Sequence, residues 1–484
     1  ESFNSNNIEI VKLLIDYANN HNIIFELNEK DIYGSYPLLN SINNNIEMIK
    51  LLIDYANKNN IILDINEKNI FGYYPFLKAI DKNNVEIVKL LIDYANKKNI
   101  ILEINEKENK NGSYPLLESI NNNKIEIVKL LVDYAIENNI ILELNEKENK
   151  NGNYPLFCAT SHNNIEIVKL LMNYANKNNI ILNINEKINN ENNPLFCAIF
   201  WNNIEMAKLL IDYAIKNNII LKINGKGNKN GNSLLFFAIF NNNTNMVKLL
   251  LDYATENNII LEINEKDNIG SYPLLESINN NNIEIFKLLI DFSIKNNIIL
   301  EINEKDNIGD GYYPFLYAIY KNNIEILEIL IDYANKNKIT LKINEKSNDG
   351  FYPLLYSIIK NNIEMVELVI MYANINNIIL NINEKSKNGS YPLFKAIESN
   401  NIDIVKLLID YANEKNITLK INEKNEKGWY PLLRAINKNN INIVKALMDY
   451  ANEKNINLEI NEKDNDGWYP LLTATKKNNI EIIN

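Results

Sequence analysis

Few side chains in this sequence could do covalent chemistry. Its 484 residues hold two thiols, Cys158 and Cys197, and two imidazoles, His21 and His162. A nucleophilic site needs a thiol or hydroxyl beside an oriented base, and a structural zinc needs four ligands in a tetrahedral shell. Cys158 and Cys197 stand at equivalent places in adjacent repeats, four residues after Tyr154 and Asn193. Neither histidine is in register with them, and two thiols supply half a zinc shell, so they read as small packing residues. Two cysteines in so long a chain build no disulfide framework either. Charged pairs such as Glu106 with Lys107 return in every repeat but the one where Gly225 replaces the glutamate, as a turn does, whereas a catalytic group is placed once beside complementary partners in a cleft. There is no glycine-rich phosphate loop. The sequence therefore reads as non-enzymatic, with no cofactor and no metal.

The other chemistry available is recognition by aromatic rings. Prolines recur at spacings of 38 to 41 residues from Pro37 to Pro470, with Leu234 replacing one of them. Six residues after this proline the chain is polar near both ends but reads Phe200, Phe240, Asn279, Tyr320 and Ile359 in the middle. The next position adds Trp201, and the position three after the proline adds Phe237, Tyr317 and Tyr356. Two residues before the proline stand Tyr312, Phe351, Trp429 and Trp468. Aromatic anchors are what protein interfaces enrich. The expected partner-binding residues form one patch of Phe200, Trp201, Phe237 and Phe240, and a second of Tyr312, Tyr317, Tyr320, Phe351, Tyr356 and Ile359. Trp429 and Trp468 add contacts in the last two repeats. The competing reading is that the rings pack on neighbouring repeats, because Glu191 replaces the turn glycine near Pro194 and Leu234 replaces the next proline.

Composition narrows the partners. Fifty basic residues against 61 acidic ones give a net charge of −11, and no basic stripe is present to displace counterions from nucleic acid. No apolar run approaches the ~18 residues of a membrane span. Mixed charges on the longer helix, Glu86 with Lys89 and Lys89 with Asp93, stand at spacings that place them side by side. Asparagine is abundant, yet the strict aliphatic periodicity argues against disorder and places the asparagines at turns and caps.

The elements that must carry these columns follow from the unit beginning at Pro75. A short helix opens on Pro75, where no amide donor is needed. Asn83 stands where the chain reverses, and Asn84 is placed to cap a second helix running to about Asn96 or Lys98. That helix is apolar along Ile87, Val88, Leu90, Leu91, Tyr94 and Ala95. Ile100 to Ile104 alternate, as an extended edge segment or as coil after a helical extension. Neither helix buries its stripe alone, and a fixed period in this range means a solenoid.

The order Gly112, Tyr114, Pro115, Leu116, Leu117, Ser119, Ile120, Ile127, Val128, Leu130, Leu131, Ala135 and Asn145, repeated along the chain, resembles the ankyrin repeat. The family's period is about 33 residues, so about six are added here, between Ala95 and Asn105 in the second unit. The polar Thr-to-His clip is missing, with Tyr74 and Leu77 at its places. Tyr does not cap as Thr does, which leaves packing to fix that corner, while Asn193 and Ser233 could cap their helices directly. The resemblance implies an all-α fold with short extended turn segments, an ankyrin-like α-solenoid of helix-turn-helix repeats.

It further implies a non-catalytic scaffold for protein–protein interaction. The expected partner is a protein or peptide, with no nucleic acid and no membrane insertion, and the expected state is a monomer. The alternative is a structural spacer, or a targeting array for a domain outside this sequence. Residues 1–484 read as one continuous solenoid truncated at both ends, with partial repeats over 1–28 and 462–484. The sequence names no compartment, and a cytoplasmic one is the default expectation.

Overall fold

The structure, a computed structural model, describes residues 8–43, 46–188, 192–225, 231–306 and 310–477. Glu191 and the end of the last partial repeat lie outside them. The described residues fall into two compact units, one up to Lys222 and the other from Ile223 onward. Each unit is built from the same pair of helices.

The pair Pro75–Asp81 and Val85–Lys98 shows how the sequence makes it. Pro75 takes the first helical position, and the short helix closes at Lys82, whose amide reaches the carbonyls of Lys78 and Ile80. Asn83 then turns the chain at φ +54°. Asn84 caps the long helix, its side chain accepting from the Ile87 amide at 3.1 Å, and Glu86 lies in the first turn at the positive end of the helix dipole. Asn99 ends the helix in the left-handed conformation, again at φ +54°. The same two turns recur down the chain, and every left-handed non-glycine residue among those described is asparagine except Lys338. That conformation costs most L-residues about 1–2 kcal/mol and asparagine less. The asparagine content is thus a consequence of the repeat.

Phe76, Leu77, Ala79 and Ile80 of the short helix are buried with Ile87, Val88, Leu91, Tyr94 and Ala95 of the long one. Within each unit a short helix packs on its own long partner and on the short helices before and after it. Burial of each large aliphatic chain contributes roughly 1.5–3 kcal/mol, and a stack of such pairs accumulates it.

The segment Ile100 to Ile104 is coil, and no strand occurs among the described residues, only isolated bridge residues such as Ile188 with Asn192. Side chains, in place of a neighbouring strand, meet its backbone groups. Asn66 donates to the Ile101 carbonyl at 2.7 Å and accepts from the Glu103 amide at 3.2 Å. The Leu102 amide donates to the Tyr134 hydroxyl at 2.9 Å, and the Tyr74 hydroxyl donates to the Glu103 carbonyl. Tyr74 therefore does more than pack at its corner. Its hydroxyl ties one repeat to the loop that follows, and Tyr114, Tyr272 and Tyr430 repeat the bond to Glu143, Glu301 and Glu459 at 2.7, 2.7 and 2.6 Å. Where the tyrosine is replaced, Asn193 and Ser233 cap their own helices, accepting from Phe196 and Phe236 at 2.8 and 3.1 Å.

The helix-face charges pair differently from their spacing. No ion pair joins Glu86 to Lys89 or Lys89 to Asp93 among the described contacts. Equivalent lysines instead cross to the next repeat, Lys129 to Glu166 at 2.7 Å, Lys169 to Glu205 at 2.9 Å and Lys287 to Glu325 at 2.6 Å. Stacked long helices bring the next repeat's first-turn glutamate within reach, a partner that spacing along one helix does not reveal.

Candidate binding surface

In the first unit Phe200 ends the short helix Pro194–Phe200 and Trp201 follows it. They are 53% and 50% exposed. Both are held from behind. The Trp201 indole donates to the Ser161 carbonyl at 2.8 Å, and Phe200 lies 5.6 Å from the Trp201 ring and 6.3 Å from Phe196. In the second unit the short helix Leu234–Phe240 presents Phe237 half-buried and Phe240 at 59% exposure, edge to face at 6.4 Å. The four residues of the first expected patch thus divide between the two units.

The second patch lies wholly in the second unit. Tyr312 is 7% exposed and forms its floor, with ring centroids 5.3 Å from Tyr317 and 5.1 Å from Tyr320. Tyr356 stands edge-on to Tyr320 at 5.6 Å, and Phe351 edge-on to Tyr356 at 5.2 Å. The Tyr317 hydroxyl donates to Asn279 at 2.7 Å, and burial pushes its pKa up to about 12, so it stays a neutral donor. Lys360 lies 4.8 Å from the Tyr320 centroid and Lys321 5.4 Å from that of Tyr317. Ile359 closes the short helix Pro353–Ile359, half-buried at the margin. The arrangement is a ring cluster with one member beneath and four partly open above it.

Trp429 and Trp468 are each half-buried under a cation. The Arg434 guanidinium lies 5.3 Å from the Trp429 ring, and Lys476 lies 4.1 Å from that of Trp468. Arg434 also pairs with Glu398 at 2.9 Å. Lys395 reaches the other oxygen of that carboxylate at 2.7 Å. Burial raises the Glu398 pKa, but Lys395 and Arg434 outweigh it and hold the carboxyl below its usual range.

One feature of the surface escapes the sequence reading. A cleft of about 630 Å³ opens in the second unit along the helix Leu234–Phe240, the turn at Asp267 and the helix Pro273–Asn279, and Tyr317 and Asp306 also line it. Glu276 lines it and is buried, which raises its pKa. The signal was a carboxylate three residues after Pro273, beside a column that turns aromatic in the repeats on either side.

The thiols of Cys158 and Cys197 are buried, and burial pushes each up to about 12. No group of three or more His, Cys, Asp or Glu among the described residues is placed to hold a metal ion, and no helix among them is long and apolar enough to cross a membrane.

The family profile described as "Ankyrin repeats (3 copies)" matches residues 60–141, 139–221, 213–299, 293–379, 339–420, 372–457 and 417–484. Among solved structures, the ankyrin repeat domain of Bcl-3, a member of the IkappaB protein family, is 19% identical at a TM-score of 0.38. That match covers 53% of this chain and 99% of the other. No curated protein matches. With the profile matching successive segments from residue 60 to the last residue, the chain belongs to the ankyrin repeat family, whose arrays generally act as non-catalytic scaffolds for protein–protein interaction.

Proposed function

We propose that this array binds a protein or peptide ligand through aromatic anchors and performs no chemistry on it. Phe200 and Trp201 form one contact and Phe237 with Phe240 another. Tyr317, Tyr320, Phe351, Tyr356 and Ile359 form a third, floored by Tyr312, and Trp429 and Trp468 extend the surface. The observation that carries this reading is that the rings departing from the repeat pattern at Phe200, Trp201 and Phe240 stay about half exposed, while the aliphatic positions that recur on the two helix stripes, such as Leu77, Ile80, Ile87, Val88 and Leu91, are buried. The recurring apolar column left open, Ile101 and its equivalents, lies on the loop after the long helix. Half-exposed rings anchored from behind are pre-ordered, so a ligand that covers them meets little entropic cost.

The test is selection from a random-peptide display library by the purified chain, then binding of the selected peptides to variants. Phe200→Ser with Trp201→Ser, and separately Tyr320→Ser with Tyr356→Ser, should weaken at least one selected peptide class about tenfold or more, with helical circular dichroism unchanged. A library that yields no binder, or binders indifferent to both pairs, would leave a spacer as the better account.

A further inference from the structure

We propose that the cleft around Glu276 receives an arginine side chain from a protein partner. This rests on the reading of the chain as a protein-binding scaffold and adds the chemistry of one contact. The molecule holds such a contact itself. Arg434 lies between a carboxylate, Glu398 at 2.9 Å, and an aromatic face, Trp429 at 5.3 Å. A guanidinium suits this because it is planar, weakly hydrated and able to stack while donating in its own plane.

The cleft offers the same acceptors without the cation. Glu276 is 7% exposed, accepts from Asn279 at 3.3 and 3.5 Å, and has no ion-pair partner among the described residues. Asp306 lines the same cleft; its Oδ1 is buried with no hydrogen-bond partner, and the backbone amides of Gly311 and Tyr312 hold its carboxylate in place. Phe240 and Tyr317 supply ring faces on the same cleft. The equivalent carboxylate of the first unit, Glu118, follows a repeat that carries Lys78 at the matching place, 3.5 Å from Asp81. Before Glu276 that place is taken by Phe237, so a ring stands where a cation did. Lys321, whose charge reaches Glu276, is engaged over the Tyr317 and Tyr320 rings. No lysine or arginine is among the described residues lining the cleft. Its volume of about 630 Å³ lies within the roughly 300–1,000 Å³ typical of ligand clefts and admits an arginine with its flanking residues.

The experiment uses the full chain and three pools of fluorescein-labelled hexapeptides. One position is fixed as arginine, leucine or glutamate, and the others are random. The arginine pool should bind about tenfold or more tighter than the leucine pool, the glutamate pool should bind weakest, and the arginine preference should shrink as salt is raised. Glu276→Gln with Asp306→Asn, which keeps each side chain's acceptor oxygen, should bring the arginine and leucine pools together. Should that pair lower the thermal midpoint, Phe240→Ser at the exposed wall provides a second variant and should also reduce the preference. Equal binding of the arginine and leucine pools, or a preference that survives these changes, overturns the inference while leaving the scaffold reading intact. Failure of all three pools to bind overturns both.

Discussion

The long-helix tyrosines make a prediction that the molecule has half performed on itself. The Leu102 amide donates to the Tyr134 hydroxyl at 2.9 Å, and the bond returns at the same length from Leu63 to Tyr94, Leu341 to Tyr372 and Leu419 to Tyr450. In one repeat the tyrosine is Phe292, which is buried, and the Leu261 amide has no hydroxyl to meet there. Tyr134→Phe should therefore orphan the amide of Leu102, a residue 1% exposed. An unmet buried donor costs about 1–3 kcal/mol. The reciprocal change, Phe292→Tyr, supplies a missing acceptor and should stabilise its repeat by about 1 kcal/mol.

A global unfolding energy is a poor readout here, because repeats open locally and the two-state assumption fails for long arrays. Native-state hydrogen exchange at single amides is the right one. At about 1.4 kcal/mol per factor of ten, Tyr134→Phe should speed exchange at Leu102 by about five- to a hundredfold, and Phe292→Tyr should slow it at Leu261 by about fivefold. The Leu419 amide, bonded to a tyrosine in a distant repeat, should not change in either variant. If Leu102 exchanges at its original rate in Tyr134→Phe, or Leu261 exchanges faster in Phe292→Tyr, the hydroxyl bond is not what holds the loop.

Three further outcomes are expected. Cys158 and Cys197, buried with thiols pushed up to about 12, should resist a thiol reagent such as Ellman's in the folded chain and react in denaturant, and rapid native labelling would contradict their placement. Asn139, at φ +54°, should lose about 1 kcal/mol on change to Ala and much less on change to Gly, read as local exchange at the end of the helix Ile125–Glu137. Burial, with Asp81, Glu148 and Glu108 nearby and against the Ser113 bond, raises the Glu118 carboxyl above its usual range, so at pH values between the unfolded and folded pKa the native state holds a proton that the unfolded chain has released. Its penalty is absent below the unfolded value and grows as pH rises through the folded one. Glu118→Gln, which keeps an acceptor for the Ser113 hydroxyl, should raise the thermal midpoint near pH 7 and leave it unchanged near pH 4.

What the sequence made legible was whatever acts within one repeat. Asn83 and Asn84 announce a left-handed turn and a cap because those roles depend on a few consecutive residues, and the aliphatic stripe announces the buried face for the same reason. Contacts that cross repeats were harder to see. The Tyr74 hydroxyl meets a carbonyl 29 residues on, the Asn66 side chain meets one 35 residues on, and Lys129 pairs 37 residues on. None of these separations has a local signature, so Tyr74 read as packing and Lys89 as pairing on its own helix. The rings of the second expected patch were found because they break a column, but that Tyr312 lies beneath the others depends on how two turns stack. The cleft at Glu276 needed both kinds of information, a buried carboxylate and the identity of the side chain in the repeat before it.

The division between repeating and varying positions carries the functional argument one step further. The recurring polar groups described above have framework duties. Asn83 turns the chain, Asn84 caps, Asn66 and its equivalents clamp the following loop, and the tyrosines tie repeat to repeat. Lysines such as Lys107, Lys266 and Lys424 pair with Glu146, Glu304 and Glu462 in the next repeat, at 2.7, 2.9 and 2.9 Å. These exposed pairs contribute about 0–1 kcal/mol each, so their persistence owes more to register than to strength. A side chain with such a duty is poorly placed to recognise a ligand, since changing it loosens two repeats at once. The columns two before, three after and six after the proline carry no side-chain bond that recurs in every repeat, and their pairs, such as Tyr317 with Asn279 and Arg434 with Glu398, belong to single places in the chain. They are also where the chain places Phe200, Phe240, Tyr320, Glu276, Arg434, Trp429 and Trp468. Recognition written in those columns can be altered one repeat at a time while the stack that presents it stays the same.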